Sequence, residues 1–391
     1  MGIKLYLFGV VMILIISCYT APPTSDKILQ PTGEPLINNL SPESDDISWG
    51  TTLEPTMKDN AAHFIDFQDN PHIIHWREWW YLNLETVTNE RLVIMFLTTG
   101  DLNNPFASLA AVIMVFMQED GSTFWTVSPY PSSFYTPDYE KCNVRIGNNF
   151  FIASNKDTYQ IHYHNVPYAL NLNVTLMKTR HGIKHGDCTT ALGEWEFMGW
   201  CIPVSFGEVT GELSYTDSLG IPHQFNLTGH GYHDHNWGLL QWNTLSWNWG
   251  AFSNNQFPFS IIYGQTDYNN SRDGNINIVN ETLNYSIAYP ELTIDYREWT
   301  RIGWHIRPSK IWLHGTSTNC SLNITVDLKV PYIIGITDIG HPYLLGTAHG
   351  NIRLHDETYT FSDIWGFYEY HPPRLKKNNN NKIKDITPLK R

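Results

Sequence analysis

Apolar and polar side chains alternate with a period of two through much of this sequence, and this pattern favours β-strands. The alternation is clear in YQIHYH at 159–164 and in LNLNVTL at 170–176. Successive side chains of a strand point to opposite faces, so this period is typical of a sheet with one buried face. Apart from the N-terminal leader, we find no long stretch with the helical period. The pattern predicts an all-β protein.

Turn-forming sequences divide the chain into many short strand segments. EDGS at 119–122 and TDSLG at 216–220 are typical of turns between antiparallel strands. Many short strands with such turns indicate a sandwich or a barrel. The predicted strands are 91–98, 107–117, 123–128, 159–164, 170–176, 212–215, 245–252, 257–264, 291–297, 321–330, 344–354 and 358–370.

The length of the chain favours two domains of similar size. It has 391 residues, of which 42% are hydrophobic, enough for a sizeable core. A Gly-rich segment near residues 230–243, with the sequence GHGYHDHNWGLLQW at 229–242, separates two strand-dense halves, so we place the boundary there. The predicted parts are a leader at 1–18, a polar linker at 19–58, an N-terminal domain at 59–236, a C-terminal domain at 237–373 and a disordered tail at 374–391.

The leader, MGIKLYLFGVVMILIISC, has the organisation of a secretory signal peptide. Lys4 precedes an apolar run, which Ser17 and Cys18 follow. The run is shorter than the roughly 20 residues of a membrane span. We therefore expect a secreted or extracytoplasmic protein, with an uncleaved anchor as the alternative. The last four residues also resemble a bacterial lipobox, so a lipid anchor at Cys18 is a further alternative and the expected membrane contact.

The charge of the chain argues against nucleic acid as a partner. The net charge is −13, and no basic stretch is long enough to follow a phosphate backbone. The aromatic fraction is 14%, and the aromatic residues occur in clusters near titratable ones. These clusters favour a lipophilic small molecule as the partner.

The cysteines and glycosylation sequons fit an exported protein. Besides Cys18, the chain has Cys142, Cys188, Cys201 and Cys320. Cys188 and Cys201 flank a short segment and are the preferred disulfide pair, with Cys142–Cys320 as its complement and four free thiols as the alternative. No CxxC or Cys/His spacing suggests zinc. Asn-x-Ser/Thr sequons occur at Asn173, Asn226, Asn269, Asn280, Asn284, Asn319 and Asn323.

The first chemically distinctive cluster is EWWY at 78–81. On a strand, Trp79 and Tyr81 point to one face and Glu78 and Trp80 to the other. One face is expected to be interior, so either the Trp–Tyr pair or the Glu–Trp pair lines the barrel. The cluster is interpreted as the wall of a ligand site or as an aromatic core strand.

The second cluster is GYHDHNWG at 231–238. His233 and His235 share one face of a strand, and Asp234 points to the other. A carboxylate between two imidazoles can hold a His tautomer or transfer a proton. The alternatives are an interdomain turn, a buried hydrogen-bond network, or a metal site of His233 and His235. The spacing identifies no third metal ligand, although the fold could bring His162 or His164 near.

Further aromatic residues follow the second cluster. Trp247 and Trp249 share one face of a predicted strand, and the next strand carries Tyr263-Gly264-Gln265. A pocket lined by these groups suits a long unsaturated or polycyclic ligand. It also favours a transient carbocation, because aromatic faces attract positive charge.

Taken in order, EWWY, YHDHNWG, the Trp-rich strand and GFYEY at 366–370 resemble the carotenoid 1,2-hydratase (hydroxyneurosporene synthase) family. That family includes AttH-like secreted proteins, and lipocalin-like Diels–Alderases resemble it. The resemblance covers about residues 60–372. It implies two lipocalin-like antiparallel β-barrel domains in tandem, a hydrophobic pocket near their junction, and no metal or organic cofactor.

The resemblance also implies roles for particular residues. The His and Trp of the H-N-W-G segment correspond to His235 and Trp237. The hydratases carry a Tyr-x-Asp whose Asp is the proton donor, but the matching strand here reads Tyr263-Gly264-Gln265. An amide cannot protonate a double bond, so the sequence departs from the family here. Asp267 and Asp234 are the remaining candidate donors.

These observations leave three functional hypotheses. The first is an enzyme that protonates an isoprenoid- or polyene-like substrate for hydration or cyclisation. The second is a pericyclase that orients a polyene without proton transfer. The third is a non-catalytic carrier. The candidate catalytic residues are His235, Asp234, Tyr263 and Asp267. The expected ligand-binding residues, which should converge on one cavity, are Trp79, Tyr81, His233, Trp237, Trp247, Trp249 and Gln265.

Overall fold

The computed structural model describes residues 53–192, 194–241, 246–268, 271–302, 305–317, 320–334 and 341–371. The leader with Cys18, most of the linker, the C-terminal tail, Asn269 and Asn319 lie outside these residues. Within the described part, no helix is long and apolar enough to cross a membrane.

A first antiparallel sheet contains all the strands before residue 240. In sheet order, its main path is β4-β3-β2-β1-β13-β11-β9-β8-β7-β6-β5. The two remaining strands, β10 and β12, both pair with β11. The strands are β1 Trp76–Thr86, β2 Arg91–Gly100, β3 Ser108–Met117, β4 Thr123–Tyr130, β5 Tyr135–Thr136, β6 Asn143–Ile146, β7 Asn149–Asn155, β8 Thr158–Asn165, β9 Leu170–Lys178, β10 Thr189–Ala191, β11 Phe197–Thr216, β12 Pro222–Asn226 and β13 Gly229–Leu239.

A second antiparallel sheet contains the remaining strands, in the order β17-β16-β15-β14-β22-β21-β20-β19-β18. These strands are β14 Ser246–Phe252, β15 Ser260–Tyr268, β16 Ser271–Val279, β17 Asn284–Ala288, β18 Leu292–Ile302, β19 His305–Thr316, β20 Cys320–Ile334, β21 His341–Leu354 and β22 Glu357–His371. The described helices are short: α1 Phe64–Phe67 and three 3₁₀ turns at Ile73–His75, Ser132–Phe134 and Val166–Tyr168.

The two sheets confirm the predicted all-β class with tandem lipocalin-like domains. One sheet is nearly closed into a barrel and the other forms a half-barrel. The alternating apolar residues predicted from the sequence supply the core of each domain. Ile161, Leu172 and Val174, for example, are buried in the first domain.

The segment at 230–243, where composition placed the domain boundary, contains a central strand. β13 pairs with β1 on one side and with β11 on the other. The chain therefore passes from the first sheet to the second after Leu239 and before Ser246. Glycines made this segment look like a turn, but they are strand residues that allow close packing: a Cβ on Gly229 would lie 2.0 Å from the Glu85 carbonyl oxygen.

Three of the apolar clusters among the described residues are the largest and form the two domain cores and the junction. The first-domain core includes Trp80, Leu82 and Phe96, and the second-domain core includes Tyr263 and Tyr368. The third, which we call the interdomain cluster, lies between the sheets. It consists of Tyr81, Val93, Val115, Met117, Ile183, Ile202, Tyr232, Ala251, Ile262, Val279, Leu345 and Phe367, with Trp79, Trp125, Trp200 and Trp249 packed against it.

The predicted disulfides are not formed in this structure. Cys142, Cys188, Cys201 and Cys320 are all buried free thiols. Cys201 donates its thiol hydrogen to the Asp59 carbonyl oxygen, at 3.3 Å. Cys142 lies in the first-domain core and Cys320 in the second-domain core, so the complementary pair is separated by the fold. The even number of cysteines was therefore not a reliable indication of disulfide bridges.

Candidate functional site

The two clusters singled out in the sequence lie on directly paired strands. In the antiparallel register of β1 and β13, Trp79 is opposite Asn236, Trp80 is opposite His235, and Tyr81 is opposite Asp234. Cross-strand partners share a face of the sheet. The odd-numbered residues of β1 therefore share a face with the even-numbered residues of β13.

One face of this strand pair looks into the interdomain cluster and carries Asp234. Its carboxyl is 2% exposed. Oδ2 accepts hydrogen bonds from Trp200 Nε1 at 3.0 Å and from the Tyr232 hydroxyl at 2.9 Å. Oδ1 accepts one from Asn236 Nδ2 at 3.0 Å. A carboxyl oxygen offers two acceptor positions, so the remaining position on this carboxyl is on Oδ1.

Burial gives Asp234 an unusual proton affinity. Desolvation raises its pKa to about 7, and the charge of Glu369 acts in the same direction. The hydrogen bonds from Trp200, Tyr232 and Asn236 lower the pKa but do not cancel this rise. Asp234 is therefore a carboxylic acid that holds its proton up to about neutral pH, as a general acid must.

Aromatic rings surround this acid on the interdomain face. The Trp249 ring lies 5.8 Å from the Tyr81 ring, 5.6 Å from the Tyr232 ring and 5.0 Å from the Phe367 ring, measured between centroids. Trp200 is 6.4 Å from Trp249. These faces are suited to contact with an unsaturated or cationic group.

A small cavity adjoins the aromatic cluster between the two sheets. Its volume is about 40 Å³, enough for a water molecule but far below the size of a ligand pocket. It is lined by Asn83, Leu84, Glu85, Phe206, His230, Gly231, Tyr232, Ala251, Ser253, Trp365, Gly366 and Phe367. Tyr232 connects the cavity to the acid, since it lines the cavity and its hydroxyl donates to Asp234.

Trp247 lies near the other end of the interdomain face. Together with Trp79 it packs against Leu192 and Leu240. Its Nε1 donates to Glu369 Oε2 at 3.2 Å. The interdomain face thus brings together Trp79, Tyr81, Trp247 and Trp249, four of the residues predicted to line a ligand site.

The opposite face of the strand pair points into the first domain and carries both histidines. The His235 ring stacks on Trp80 with centroids 4.4 Å apart, and its Nε2 lies 3.2 Å from Glu78 Oε1. Trp237 is also on this face, where the ring of His63 stacks on it at 3.9 Å. The Glu–Trp pair of EWWY therefore lines the first domain, while the Trp–Tyr pair lines the junction.

Burial keeps the histidines of this inner face neutral. Desolvation lowers the pKa of His233 to about 4 and that of His235 well below its usual value. His233 Nδ1 lies 2.9 Å from the Tyr81 carbonyl oxygen, which can only accept, so Nδ1 carries the hydrogen. Nε2 of His233 then accepts from Asn60 Nδ2 at 3.0 Å. This arrangement is the buried hydrogen-bond network that the sequence left open as an alternative.

The Tyr-x-Gln segment points away from Asp234, into the second domain. The Tyr263 hydroxyl donates to Asn248 Oδ1 at 3.2 Å, and Gln265 Oε1 accepts from the Tyr289 hydroxyl at 3.3 Å. The predicted site residues therefore occupy three compartments instead of one cavity. Asp267 pairs with Ser246 and Arg272 through the backbone, and its side chain lies outside the described residues.

Gly264, between Tyr263 and Gln265, faces the interdomain cluster instead. A Cβ at this position would lie 2.6 Å from the Trp200 ring. The absence of a side chain therefore leaves room at the junction for the Trp200 ring, whose Nε1 donates to Asp234 on the neighbouring strand of the same sheet. Sequence reasoning missed Trp200, Tyr232 and Asn236 as hydrogen-bond partners of Asp234, and Glu369 as a charge that raises its pKa. For Tyr232 and Asn236 the sequence did contain a signal, because both are even-numbered residues of β13 and therefore point to the same face as Asp234.

The described residues contain no group of three or more His, Cys, Asp or Glu side chains arranged to hold a metal ion. His162, considered above as a ligand, bonds through Nδ1 to Asn173 Oδ1 at 2.8 Å on the outer surface.

Comparisons by sequence found no match to any protein-family model or curated protein. Comparison of structures did find similar proteins. An AttH-type protein of Nitrosomonas europaea superposes with a TM-score of 0.59 at 14% identity, over 82% of this chain and 97% of that one. The Diels–Alderase CghA, solved with Sch210972, gives a TM-score of 0.54 at 11% identity, over 82% of this chain and 97% of CghA.

Kievitone hydratase from Nectria haematococca gives a TM-score of 0.52 at 15% identity, over 82% of this chain and 95% of that one. At these identities the likeness concerns the fold, and it spans both domains. The chain has the tandem lipocalin-like fold of AttH, CghA and kievitone hydratase, as its motifs led us to expect.

Proposed function

We propose that this protein is a secreted enzyme that acts on a hydrophobic, unsaturated, isoprenoid- or polyene-like small molecule at the junction of its two domains. Asp234 is the proton donor, and the substrate undergoes hydration or cyclisation. The observation that carries the proposal is a buried carboxylic acid, protonated near neutral pH, on a face that also carries apolar side chains and several aromatic rings. Two of the solved structures with this fold are a hydratase and a Diels–Alderase.

The hydrogen bonds around Asp234 fit the role of a donor. Oδ2 already accepts two hydrogen bonds, so the acidic proton belongs on Oδ1. Transfer of that proton to an alkene carbon leaves a carbocation on the substrate and a carboxylate on Asp234. Trp200, Tyr232 and Asn236 stabilise that carboxylate through the same hydrogen bonds.

The aromatic faces of Tyr81, Trp249 and Phe367 stabilise the cation. In hydration, a water molecule adds to the cation and returns a proton to Asp234, so the overall change is alkene plus water to alcohol. In cyclisation, a second double bond attacks the cation, and loss of a proton restores the acid. Neither reaction consumes an oxidant or a reductant.

Entry of a substrate requires the two sheets to separate, because the described cavity holds little more than a water molecule. The contacts within the interdomain cluster are apolar and aromatic, so a hydrophobic substrate can replace them with similar contacts.

The test is incubation of the purified protein with a panel of isoprenoids and polyenes in D₂O. Hydration adds the mass of one water, and a deuterium on carbon in the product shows that the acid delivered a proton. Asp234→Asn should abolish product while a bound substrate still protects the protein against thermal unfolding. Asp356→Asn, at an exposed carboxylate, is the matched control and should retain full turnover.

A second candidate is cyclisation without proton transfer, which the similarity to a Diels–Alderase favours. In this reaction Tyr232 and Trp200 orient the substrate through hydrogen bonds and shape. The product would then contain no deuterium on carbon, and Asp234→Asn would retain most of the turnover. If the panel binds but gives no product, the protein is a carrier, the remaining hypothesis.

A further inference from the structure

We propose that the first domain contains a second, separate binding site, formed by Asn60, Glu78, Thr98 and Tyr135, for the hydroxyl group of a small neutral phenol or alcohol. We call these four residues the inner polar cluster. The cluster lies on the face of β1 opposite to the face that looks toward Asp234, so the site is independent of the proposed reaction.

Glu78 and Trp80, which share the inner face of β1, connect the four residues. Thr98 is the cross-strand partner of Glu78 and shares its face. The Tyr135 ring lies 6.5 Å from the Trp80 ring, and burial together with the nearby Glu78 carboxyl raises the pKa of the Tyr135 hydroxyl. The Asn60 carbonyl oxygen accepts from Trp80 Nε1 at 3.1 Å.

Each member of the inner polar cluster has a buried polar atom without a hydrogen-bond partner among the described residues. These atoms are Asn60 Oδ1, Glu78 Oε2, Thr98 Oγ1 and the Tyr135 hydroxyl oxygen. The side chains themselves are between 0% and 8% exposed. Buried polar groups in proteins are nearly always paired, so four such atoms in one place point to a ligand that pairs with them.

The orientation of Asn60 follows from its neighbours. Because His233 Nε2 can only accept, Asn60 must present its amide nitrogen there and its Oδ1 elsewhere. Likewise, Glu78 Oε1 is held by the backbone N–H of His63 at 2.7 Å, which leaves Oε2 as the free oxygen. The structure thus fixes both unpaired oxygens.

The polar network of Tyr163, in the same core, shows the ordinary arrangement. The Tyr163 hydroxyl is 2.7 Å from Ser128 Oγ and accepts from Asn165 Nδ2 at 3.2 Å. It is as deeply buried as Tyr135, yet it is paired. The contrast makes Tyr163 a control for the experiment below.

The surroundings define the chemistry of the ligand. Trp80, Phe96 and Phe151 supply aromatic surface within the same core. Burial raises the pKa of Glu78 well above its usual value, so this carboxyl is neutral, and no Lys or Arg of the described residues makes an ion pair with it. A charged ligand would therefore lack a counter-ion, which is costly at this depth. The unpaired atoms can donate to and accept from a hydroxyl. A neutral phenol or alcohol satisfies both requirements.

The experiment is calorimetric titration of the full protein with phenol, and with benzene as a probe of the same shape without the hydroxyl. We expect saturable binding of phenol and binding of benzene weaker by roughly tenfold or more, because a polar site rejects an analogue that leaves its groups unpaired. Equal affinities, or no saturable binding of phenol, would overturn the proposal.

Variants separate a binding site from a structural network. Tyr135→Phe and Thr98→Val should each weaken phenol binding by roughly tenfold while leaving the unfolding midpoint unchanged or raised, since each removes an unpaired group. Tyr163→Phe should lower the midpoint and leave phenol binding unchanged. If Tyr135→Phe fails to fold, the Thr98→Val variant alone provides the test. A wild-type affinity for phenol in Thr98→Val would contradict the site.

Discussion

The Trp200 indole, which donates a hydrogen bond to Asp234, packs against Gly264 of the second domain, where a side chain would collide with its ring. A Cβ on Gly264 would lie 2.6 Å from the Trp200 ring, and Trp200 Nε1 donates to Asp234 Oδ2 at 3.0 Å. A residue of the second domain thereby controls the environment of an acid in the first.

Gly264→Ala should therefore disturb both packing and the acid. We expect a loss of about 1–3 kcal/mol in the free energy of unfolding, typical of an overpacked core. The pKa of Asp234 should rise, because the hydrogen bond from Trp200 lowers it. Urea unfolding and the pH profile of turnover measure the two effects.

Trp200→Phe supplies the control, since phenylalanine lacks the distal ring atoms that meet the added Cβ. The double variant Gly264→Ala/Trp200→Phe should be more stable than the sum of the single effects by at least about 0.5 kcal/mol. Strict additivity would show that the two positions do not interact.

Asp234→Asn should change how stability depends on pH. Between its unfolded pKa of 3.8 and its folded pKa of about 7, the folded protein holds a proton that the unfolded chain has lost. Stability therefore falls as pH rises through this interval, by up to about 4 kcal/mol. The variant lacks this contribution, so its stability relative to wild type should improve from pH 4 to pH 8.

The comparison with wild type is needed because other groups titrate in the same interval. Glu78 acts in the same direction as Asp234, while His233 and His235 act in the opposite one. These contributions cancel in the difference between the two proteins. Unfolding free energies that run parallel over the whole range would contradict the raised pKa.

The cysteines provide a test that is independent of function. Cys142, Cys188, Cys201 and Cys320 are free thiols, so the unfolded protein should react with four equivalents of a thiol reagent before any reduction, and with a fifth if Cys18 is retained. Reducing agent should leave the unfolding midpoint unchanged. A midpoint that falls on reduction, as loss of a bridge worth about 2–4 kcal/mol would cause, would show that a disulfide forms.

The sequons should be used selectively if the chain passes through a glycosylating pathway. Asn226 and Asn323 are exposed. Asn284 is 4% exposed, and its Nδ2 donates to Asn277 Oδ1 at 3.2 Å. Glycopeptide mapping should find sugar at Asn226 or Asn323 and none at Asn284. A glycan at Asn284 would mean that modification precedes folding and that β17 does not pack as described.

The fold was largely predictable from the sequence, because alternation reports directly on which face of a strand is buried. The same parity correctly separated Trp79 and Tyr81 from Trp80, and Asp234 from the two histidines. What parity cannot give is the register between strands about 150 residues apart. In the structure Trp80, and not Trp79, pairs with His235. The histidines therefore point into the first domain, and Asp234 points to the junction.

Several other residues near the two sites could not be identified from the sequence. Asn60 and His63 precede the first strand in an irregular segment, and only tertiary packing brings them to His233 and Trp237. Trp200 lies in a long, bulged strand, where parity breaks between Cys201 and Gly207. Counting cysteines did not reveal that Cys142 and Cys320 enter different domain cores. Cys188 and Cys201 do lie in one apolar cluster, as predicted neighbours, but as free thiols.

The alternation of β13 between two compartments has a consequence for how this protein can evolve. Substitutions at its even-numbered positions alter the junction, and those at its odd-numbered positions alter the interior of the first domain, so each can drift with little effect on the other. A single inserted or deleted residue, in contrast, alters both compartments. It would exchange the contents of the two compartments at once, placing imidazoles where the acid now stands, and selection should therefore tolerate many replacements in this strand but almost no change in its length.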